Sequence, residues 1–427
     1  MKDRNEKITQ YHDMLDAIRV RQKTDINVEH LKSVLNISRT TADKIMTILL
    51  SEDKDLSLIQ KHGRSIFVRS EAAYFLGISI GSKYIRVSLI GLDFNPVSKS
   101  KLLQCKEISD LISMEIMNFD NNESDDSGFS FHTPISDSQS MSSSLDCLRK
   151  VISPLVSHFL MLSESTDPSN APRYPLAGIG FAVAGPVDYT AKTWISAPHI
   201  TSLRNITIQD LVGYENLQTI ERAGIFMSID NNAKTAIVSE YFQLLVDNCG
   251  NYHDDLALIY IGSGIGSAAI INKRLLRGCH NVSGELGQMY LYSPKLDKSA
   301  TDYASSQEII PYDMVRLEDL MSSKNRDECC KKWLPYALCS TICILGVKNV
   351  ILAGHTIRGT KDLIPSLMDE RTKFTVSSTS MYCNLLQGRG TPNTAAIGAA
   401  IEAYYTMCNF DKENPSIRTN LAFNLSM

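Results

Sequence analysis

The sequence lacks the features that would place the protein in a membrane or outside the cell. None of its apolar runs approaches the roughly 18 residues that a membrane-spanning helix needs. Its first residues, MKDRNEKITQYHDML, lack the apolar core of a signal peptide. Its ten cysteines form no CxxC pair and no compact framework, which is typical of reduced, buried thiols. We therefore expect a soluble, cytoplasmic protein without disulfides.

The chain also lacks a strong charge of either sign. Its 427 residues carry 43 Lys and Arg against 47 Asp and Glu, so composition alone gives no sign of a polyanion-binding protein. The average hides a difference along the chain, because residues 1–70 are mildly basic and the remainder is acidic. Hydrophobic residues make up 43% of the chain, which is enough for large cores, and the length predicts about two to four domains.

The segment 121–144 has little aliphatic content and is rich in serine. Such a segment buries too little apolar surface to offset the entropy of ordering it. We predict that it is a disordered surface insertion.

The first 72 residues have the pattern of a small helical module. Apolar spacing predicts helices over Ile8–Val20, after Asn27 as a cap, and over Arg39–Leu50, followed by extended runs at Leu56–Gln60 and Ser65–Arg69. Helix, helix, turn, helix and a basic hairpin is the order of a winged helix-turn-helix, whose third helix enters the major groove of DNA. A three-helix protein-interaction module is the alternative. The candidate DNA-binding residues are Ser38, Arg39, Thr40, Thr41, Lys44, Lys61, His62 and Arg64.

The rest of the chain alternates apolar strands, glycine turns and helices. In order, the segments are Phe75–Gly81 with its glycine turn, LAGIGFAVAGPVD from Leu176, FMSIDNNAKTAIVSE from Phe226, ALIYIGSGIGSAAII from Ala257, NVSGELGQM from Asn281, and TAAIGAAIEAYY from Thr394. This ordered set, behind the N-terminal module, resembles the ROK family of repressors, open reading frames and kinases.

The resemblance implies an α/β fold with an actin/hexokinase-like, two-lobed body of ribonuclease H-like lobes, preceded by the α+β winged helix-turn-helix domain. It divides the chain into 1–72 for DNA binding, 73–200 for the first lobe and 201–427 for the second lobe. The helix predicted over 394–406 is expected to return to the first lobe.

Several positions depart from the kinases of that family. Where those kinases carry a strand aspartate in their first motif, this chain has Ser79. Where they carry the aspartate that acts as catalytic base, this chain has Asn232, whose amide cannot accept a proton from a substrate hydroxyl at neutral pH. The family's zinc-binding His and Cys residues are also missing, and core packing is the preferred interpretation of Cys339 and Cys343. We expect no kinase activity, no metal and no cofactor.

A sugar-binding role is implied for the residues that remain. Asn231 and Glu285 match family positions that contact sugar hydroxyls, and Asn232 and Gln288 replace an acid and an imidazole with amides. Gly185 and His199 complete the candidate ligand-binding set. The alternative for the set is that these are turn and cap residues of a site that no longer binds a ligand, and the alternative for His199 is loop packing.

The sequence thus predicts a transcriptional regulator, a repressor of carbohydrate genes, that binds double-stranded operator DNA and a small carbohydrate effector as a homodimer or tetramer. The first alternative is an ATP-dependent sugar kinase with an accessory module, which would need a relocated base such as Asp230 or Glu285. The second is a scaffold without chemistry or ligand. The sequence leaves open the sugar, the operator and the direction of the response.

Overall fold

The computed structural model describes residues 2–51, 57–114, 117, 119–120, 125–135, 140–164, 174–198, 200, 202–252, 254–262, 264–294, 312–317, 326–354, 383–388 and 391–408. Over those ranges, no helix combines the length and the apolarity needed to cross a bilayer. The described residues fall into two units. The first lies within Met1–Leu256, Ala269–Ser283 and Arg389–Met427, and the second within Ala257–Ala268 and Gly284–Gly388.

The first unit begins with three helices and a hairpin. These are α1 (Lys2–Arg19), α2 (Val28–Leu35), α3 (Arg39–Leu50), β1 (Ile59–His62) and β2 (Ser65–Val68). The order of elements is the predicted one, and both predicted caps form. The side chain of Asn27 accepts a hydrogen bond from the His30 amide at 3.1 Å, and that of Ser38 accepts one from the Thr41 amide at 3.1 Å.

The first strand and the loop of the hairpin differ from the prediction in where they begin and end. The first strand starts at Ile59 rather than Leu56 and continues to His62, which pairs with Ser65. Only Gly63 and Arg64 remain in the loop, and Gly63 takes the left-handed φ of 63° that a two-residue hairpin loop requires.

The middle of the chain supplies most of the remaining elements of the first unit. They are β3 (Tyr74–Ile80), β4 (Tyr84–Gly91), α4 (Lys99–Leu102), α5 (Lys106–Ser113), β5 (Phe129–His132), α6 (Met141–Glu164), β6 (Leu176–Val183), β7 (Val187–Asp188), β8 (Thr193–Ser196), β9 (Arg204–Thr207), α7 (Ile208–Val212), α8 (Tyr214–Arg222), β10 (Phe226–Asn231) and α9 (Asn232–Asp247).

A five-stranded sheet organises this unit, with the strand order β10-β6-β3-β4-β5. The strands β10, β6 and β3 are parallel, whereas β4 and β5 extend the sheet in antiparallel fashion. Continuous apolar runs in β3 and β6 are buried, as expected for strands covered on both faces.

The second unit holds most of a second five-stranded sheet. Its order is β13-β12-β11-β16-β17. The elements from here to the end of the described chain are β11 (Leu256–Ile261), β12 (Ile265–Ile271), β13 (Arg274–Leu275), β14 (Tyr290–Pro294), β15 (Tyr312–Arg316), α10 (Arg326–Leu345), β16 (Asn349–Ala353), β17 (Asn384–Gln387) and α11 (Thr394–Cys408).

The helix α11 lies in the first unit. It packs against the sheet backbone to backbone. A Cβ at Gly77 would lie 1.8 Å from the Ala396 carbonyl oxygen, and one at Gly180 would lie 1.9 Å from that of Ala399. Glycine is therefore required at these two strand positions for the helix to approach so closely.

Two predictions about organisation differ from the structure. The first unit extends well beyond residue 200, because β10 continues the first sheet through its pairing with β6 and α9 packs on α11. The predicted disordered insertion contains the strand β5, which pairs with β4 and buries Phe129 and Phe131. Burial of these two aromatic side chains supplies the apolar contact that the serine-rich composition concealed. Residues 121–124 and 136–139 of that insertion lie outside the described residues.

Candidate functional site

The N-terminal end of α3 presents a polar, exposed surface. Ser38 is occupied in capping the helix, and its hydroxyl also lies 2.9 Å from the Thr41 hydroxyl. Arg39, Thr40 and Lys44 are exposed. Arg39 forms ion pairs with Glu29 of α2 and, at 3.2 Å, with Asp43. The negative charges of Glu29 and Asp43 raise the pKa of Arg39, so its guanidinium is held charged at the surface.

The hairpin places its basic residues close to its tip. Arg64 lies in the loop, whereas Lys61 and His62 lie on the strand β1, and all three side chains are exposed. The His62 ring also contacts Phe67, with 5.7 Å between ring centroids. Arg64 and Lys61 are therefore free to meet a polyanion, while His62 has a packing partner within the hairpin.

A buried arginine fixes the N-terminal module to the rest of the first unit. Arg19, at the end of α1, is ion-paired to Asp16 and donates from Nε to the Leu92 carbonyl oxygen at 2.8 Å. Its guanidinium carbon lies 3.9 Å from the centroid of the Phe94 ring and 4.5 Å from that of Tyr404. Only 1% of Arg19 is exposed, so these contacts are desolvated and each counts for more than it would at the surface.

The helix α11 supplies further contacts to this buried arginine site, which we call the Arg19 joint. The Tyr405 hydroxyl donates to Asp16 at 3.1 Å, and the Tyr404 hydroxyl lies 3.1 Å from Nδ1 of His12. Burial raises the pKa of Asp16 to about 6, against the lowering effect of Arg19. Burial, with a smaller effect from the charge of Arg19, lowers the pKa of His12 to about 4, so this imidazole is neutral at pH 7.

A second buried polar cluster lies where β10 ends. Asp230 is fully buried and ion-paired to Arg277, and its Oδ1 accepts from Asn281 at 2.8 Å and from the Asn231 amide at 2.7 Å. Arg277 also donates to Glu402 of α11 at 3.1 Å. Both oxygens of Asp230 are thus engaged within the protein.

The predicted ligand residues of the first unit have structural contacts in the same region. Asn231 caps α9 by accepting from the Ala233 amide at 2.8 Å, and its Nδ2 donates to the Gly185 carbonyl oxygen at 2.9 Å. Gly185 has a φ of 96°, and a Cβ there would lie 2.5 Å from the Ser196 carbonyl oxygen. Asn232 follows at the first position of α9 and is half-buried.

Two more of the predicted ligand residues belong to the second unit. Glu285 and Gln288 are half-buried in the second unit, where Gln288 accepts from Arg316 at 3.2 Å. His199 lies outside the described residues.

Among the residues that the structure describes, no three or more His, Cys, Asp or Glu side chains are grouped as metal ligands would be. Cys339 is buried, in agreement with core packing, but Cys343 is exposed, which corrects the prediction for that residue. The sequence placed both on one face of a helix, yet only Cys339 lies on the covered part of α10.

Comparison with known protein families gives a match to part of the chain. Residues 155–301, which run from α6 past the buried cluster and Glu285, match the sequence profile of the ROK family. The match covers less than half of the chain.

The curated relatives that match part of this chain include two with names of xylose repressors. The xylose repressor of Bacillus subtilis (strain 168) is 28% identical over 148 residues, which cover 35% of this chain and 34% of the relative. The putative xylose repressor of Caldicellulosiruptor sp. (strain Rt8B.4) is 28% identical over 137 residues, which cover 32% of this chain and 31% of the relative. The chain therefore matches about a third of the length of each of these relatives.

One solved structure extends the likeness beyond the ROK domain. The crystal structure of a ROK family transcriptional regulator, a homologue of the E. coli MLC protein, superposes with a TM-score of 0.57 at 15% identity. The match covers 93% of this chain and 96% of that one. This confirms the predicted α/β fold class, while DNA binding by the N-terminal module stays a prediction.

The buried cluster includes two residues that the sequence did not reveal as functional candidates. Arg277 lies in a loop that gives no motif, and Glu402 lies within the apolar helix α11. The signal for Glu402 was present, because it is the only charged residue in TAAIGAAIEAYYTMC. A lone carboxylate in a helix that is buried from Thr394 to Tyr405 requires a buried partner.

Proposed function

We propose that the protein is a sugar-responsive, DNA-binding transcriptional repressor. The observation that carries this proposal is the buried Arg19 joint, which fixes the N-terminal helices to a unit with the ROK fold while leaving the start of α3 exposed. The matched relatives are xylose repressors, and the fold is shared with a ROK transcriptional regulator.

In this proposal α3 reads the major groove and the hairpin contacts the backbone. Arg39, Thr40 and Lys44 are exposed at the helix start, where side chains of a recognition helix reach base edges. Arg39 would exchange its ion pairs with Glu29 and Asp43 for a bidentate contact to a guanine. Ser38 and Thr41 would shape the start of the helix through the cap, next to the DNA backbone.

The hairpin residues Lys61, His62 and Arg64 would meet phosphates, which contribute affinity and little sequence preference. A homodimer, or a tetramer made from two such dimers, would place two copies of α3 on a palindromic operator, one or more helical turns apart.

We propose a small carbohydrate as the effector, with xylose as the first sugar to test because the matched relatives are xylose repressors. Asn232 and Gln288 carry amides, and Glu285 carries a carboxylate, so the three side chains supply donors and acceptors for hydroxyl groups. Asn231 and Gly185 would hold the shape of the site, since the Asn231 side chain is used in capping α9 and in bonding Gly185.

The buried state of Asp230 argues against the kinase alternative. A relocated catalytic base must reach the substrate hydroxyl, but Asp230 has no exposed surface and both of its oxygens accept hydrogen bonds inside the protein. With Ser79 and Asn232 at the two positions where family kinases carry carboxylates, the proposal assigns no phosphoryl transfer to this chain.

The test measures the affinity of the full chain for DNA sites that it selects from a pool of genomic fragments. Arg39→Ala is expected to reduce discrimination between the selected site and a site with one altered guanine by about 5- to 150-fold. Arg64→Ala is expected to weaken binding to both sites about equally and to reduce the salt dependence.

The exposed Arg222 of α8 provides a matched control, since Arg222→Ala removes the same charge outside the candidate DNA surface. Selective binding that survives Arg39→Ala at full strength would contradict the assignment of α3, and the absence of any selective binding would contradict the proposed function.

A further inference from the structure

The two buried polar clusters of the first unit meet on a single helix. Glu402 of α11 bonds Arg277, which in turn holds Asp230 at the end of β10. Tyr405, three residues further along α11, bonds Asp16 of α1. Because three residues of an α-helix rise only about 4.5 Å, the two clusters are separated by less than one helical turn.

The helix that joins them is held too closely to flex on its own. A Cβ at Gly398 of α11 would lie 1.7 Å from the Thr235 carbonyl oxygen of α9, and the sheet side is equally close at Gly77 and Gly180. A displacement at one end of α11 therefore moves its other end, instead of being absorbed by loose side chains.

The Arg277 cluster also contains groups that its present arrangement leaves unsatisfied. Within the described part of the chain, Nε of Arg277 and Oε2 of Glu402 are buried and have no hydrogen-bond partner. Unpaired polar atoms in a buried network are costly, so a rearrangement that gave these two atoms partners would lower that cost, which makes the network suited to a switching element.

The cluster is next to the candidate ligand residues. Asn231 directly follows Asp230 and donates its amide N–H to that carboxylate, while its side chain bonds Gly185. A ligand that shifts Asn231 or Asn232 therefore changes the geometry of Asp230, and through Arg277 that of Glu402.

We propose that α11 couples the Asp230–Asn231 strand end to the N-terminal module, with Glu402 as the positioning residue that sets the strength of the coupling. This inference rests on the proposed function only for its biological meaning, because the mechanical coupling can be measured without DNA or sugar. A ligand acts through α11 to the extent that it prefers one arrangement of the cluster over another.

The first measurement is hydrogen exchange of the full chain, comparing wild type with Glu402→Gln and Tyr405→Phe. Glu402→Gln is expected to speed exchange of α1 amides at least threefold, although Glu402 does not itself bond α1. Tyr405→Phe is expected to speed exchange at the end of β10 and the first turn of α9 by a similar factor. Tyr174→Phe, a matched change at another buried tyrosine, is expected to alter neither region.

The second measurement is DNA affinity with and without sugar. Glu402→Gln is expected to keep sugar-free affinity within threefold of wild type and to reduce the ratio of the two affinities at least fivefold, a change that a purely structural role would not produce.

Each outcome decides a separate point. The coupling is overturned if α1 amides of Glu402→Gln exchange as slowly as those of wild type. It is also overturned if the wild type responds to sugar and Glu402→Gln shows the same ratio of DNA affinities with and without sugar. A wild type that binds no DNA selectively overturns the proposed function, while the exchange result still decides the coupling. If Glu402→Gln does not fold, Tyr405→Phe decides it alone, with unchanged exchange at the end of β10 as the overturning result.

Discussion

Replacement of Arg19 by methionine tests the joint between the N-terminal module and the rest of its unit. Methionine keeps much of the volume of the arginine stem and removes the charge. The change deletes the ion pair with Asp16, the hydrogen bond to the Leu92 carbonyl oxygen and the contacts with the rings of Phe94 and Tyr404. Among the residues that the structure describes, it leaves the buried Asp16 carboxylate with the Tyr405 hydroxyl as its remaining side-chain partner.

The magnitude follows from the burial of the pair. Removing one partner of a buried ion pair costs about 3–5 kcal/mol, because the other charge is left uncompensated. The exposed pair between Lys23 and Asp247, at 2.6 Å, gives a matched control. Lys23→Met removes a cation from a surface ion pair, which contributes about 0–1 kcal/mol.

The assay is the free energy of unfolding in urea, with limited proteolysis after α1 as a second readout. Arg19→Met is expected to lower the free energy of unfolding by several kcal/mol more than Lys23→Met. The double variant Asp16→Leu with Arg19→Met is expected to recover part of that loss, since replacing both members of a buried pair by apolar groups is often nearly neutral. A loss below about 1 kcal/mol for Arg19→Met would refute the reasoning, because it would mean that the joint is not desolvated.

Two further predictions concern pH and packing. The pKa values of Asp13 and Glu402 are raised by burial, and by neighbouring carboxylates, to about 7 and about 8. Protonation of these two carboxyl groups therefore stabilises the folded state fully below their ordinary pKa values of 3.8 and 4.5, and that contribution is lost as pH rises from there to about 7 and about 8. The lowered pKa of His12 has the opposite effect, since it makes stability rise with pH between about pH 4 and 6.5. Above pH 6.5 only the carboxyl effect remains of these two, so the thermal midpoint should fall between pH 6.5 and 8, and a Glu402→Gln variant whose midpoint falls as steeply would contradict this cause. Gly77→Ala would set a Cβ 1.8 Å from an α11 backbone oxygen and should cost about 1–3 kcal/mol or more in urea unfolding, against a small change for Gly262→Ala, where the nearest atom is 3.4 Å away.

Local signals in the sequence predicted the local structure well. The caps Asn27 and Ser38 need only the three residues that follow each of them, and both form as predicted. The buried strands β3, β6 and β11 follow from continuous apolar runs ended by polar or glycine turns. These features depend on short spans of chain, so a single sequence contains the necessary information.

Features that depend on distant partners were missed. The strand β5 forms because β4, about forty residues earlier, offers an unpaired edge, and composition around Phe129 gave no indication of that pairing. Arg277 bonds Glu402 across 125 positions, and no periodicity connects two such residues. Of the predicted ligand residues, Asn231 was recognised from a motif, but its capping role appears only in the structure.

The most direct test of the proposed function is the affinity of the full chain for genomically selected DNA, measured by fluorescence anisotropy with and without xylose and related sugars. The account predicts selective binding and a sugar-dependent change in affinity of about 5- to 150-fold, the usual range for coupled sites. Equal affinity for selected and random DNA, together with sugar-dependent hydrolysis of ATP, would contradict it.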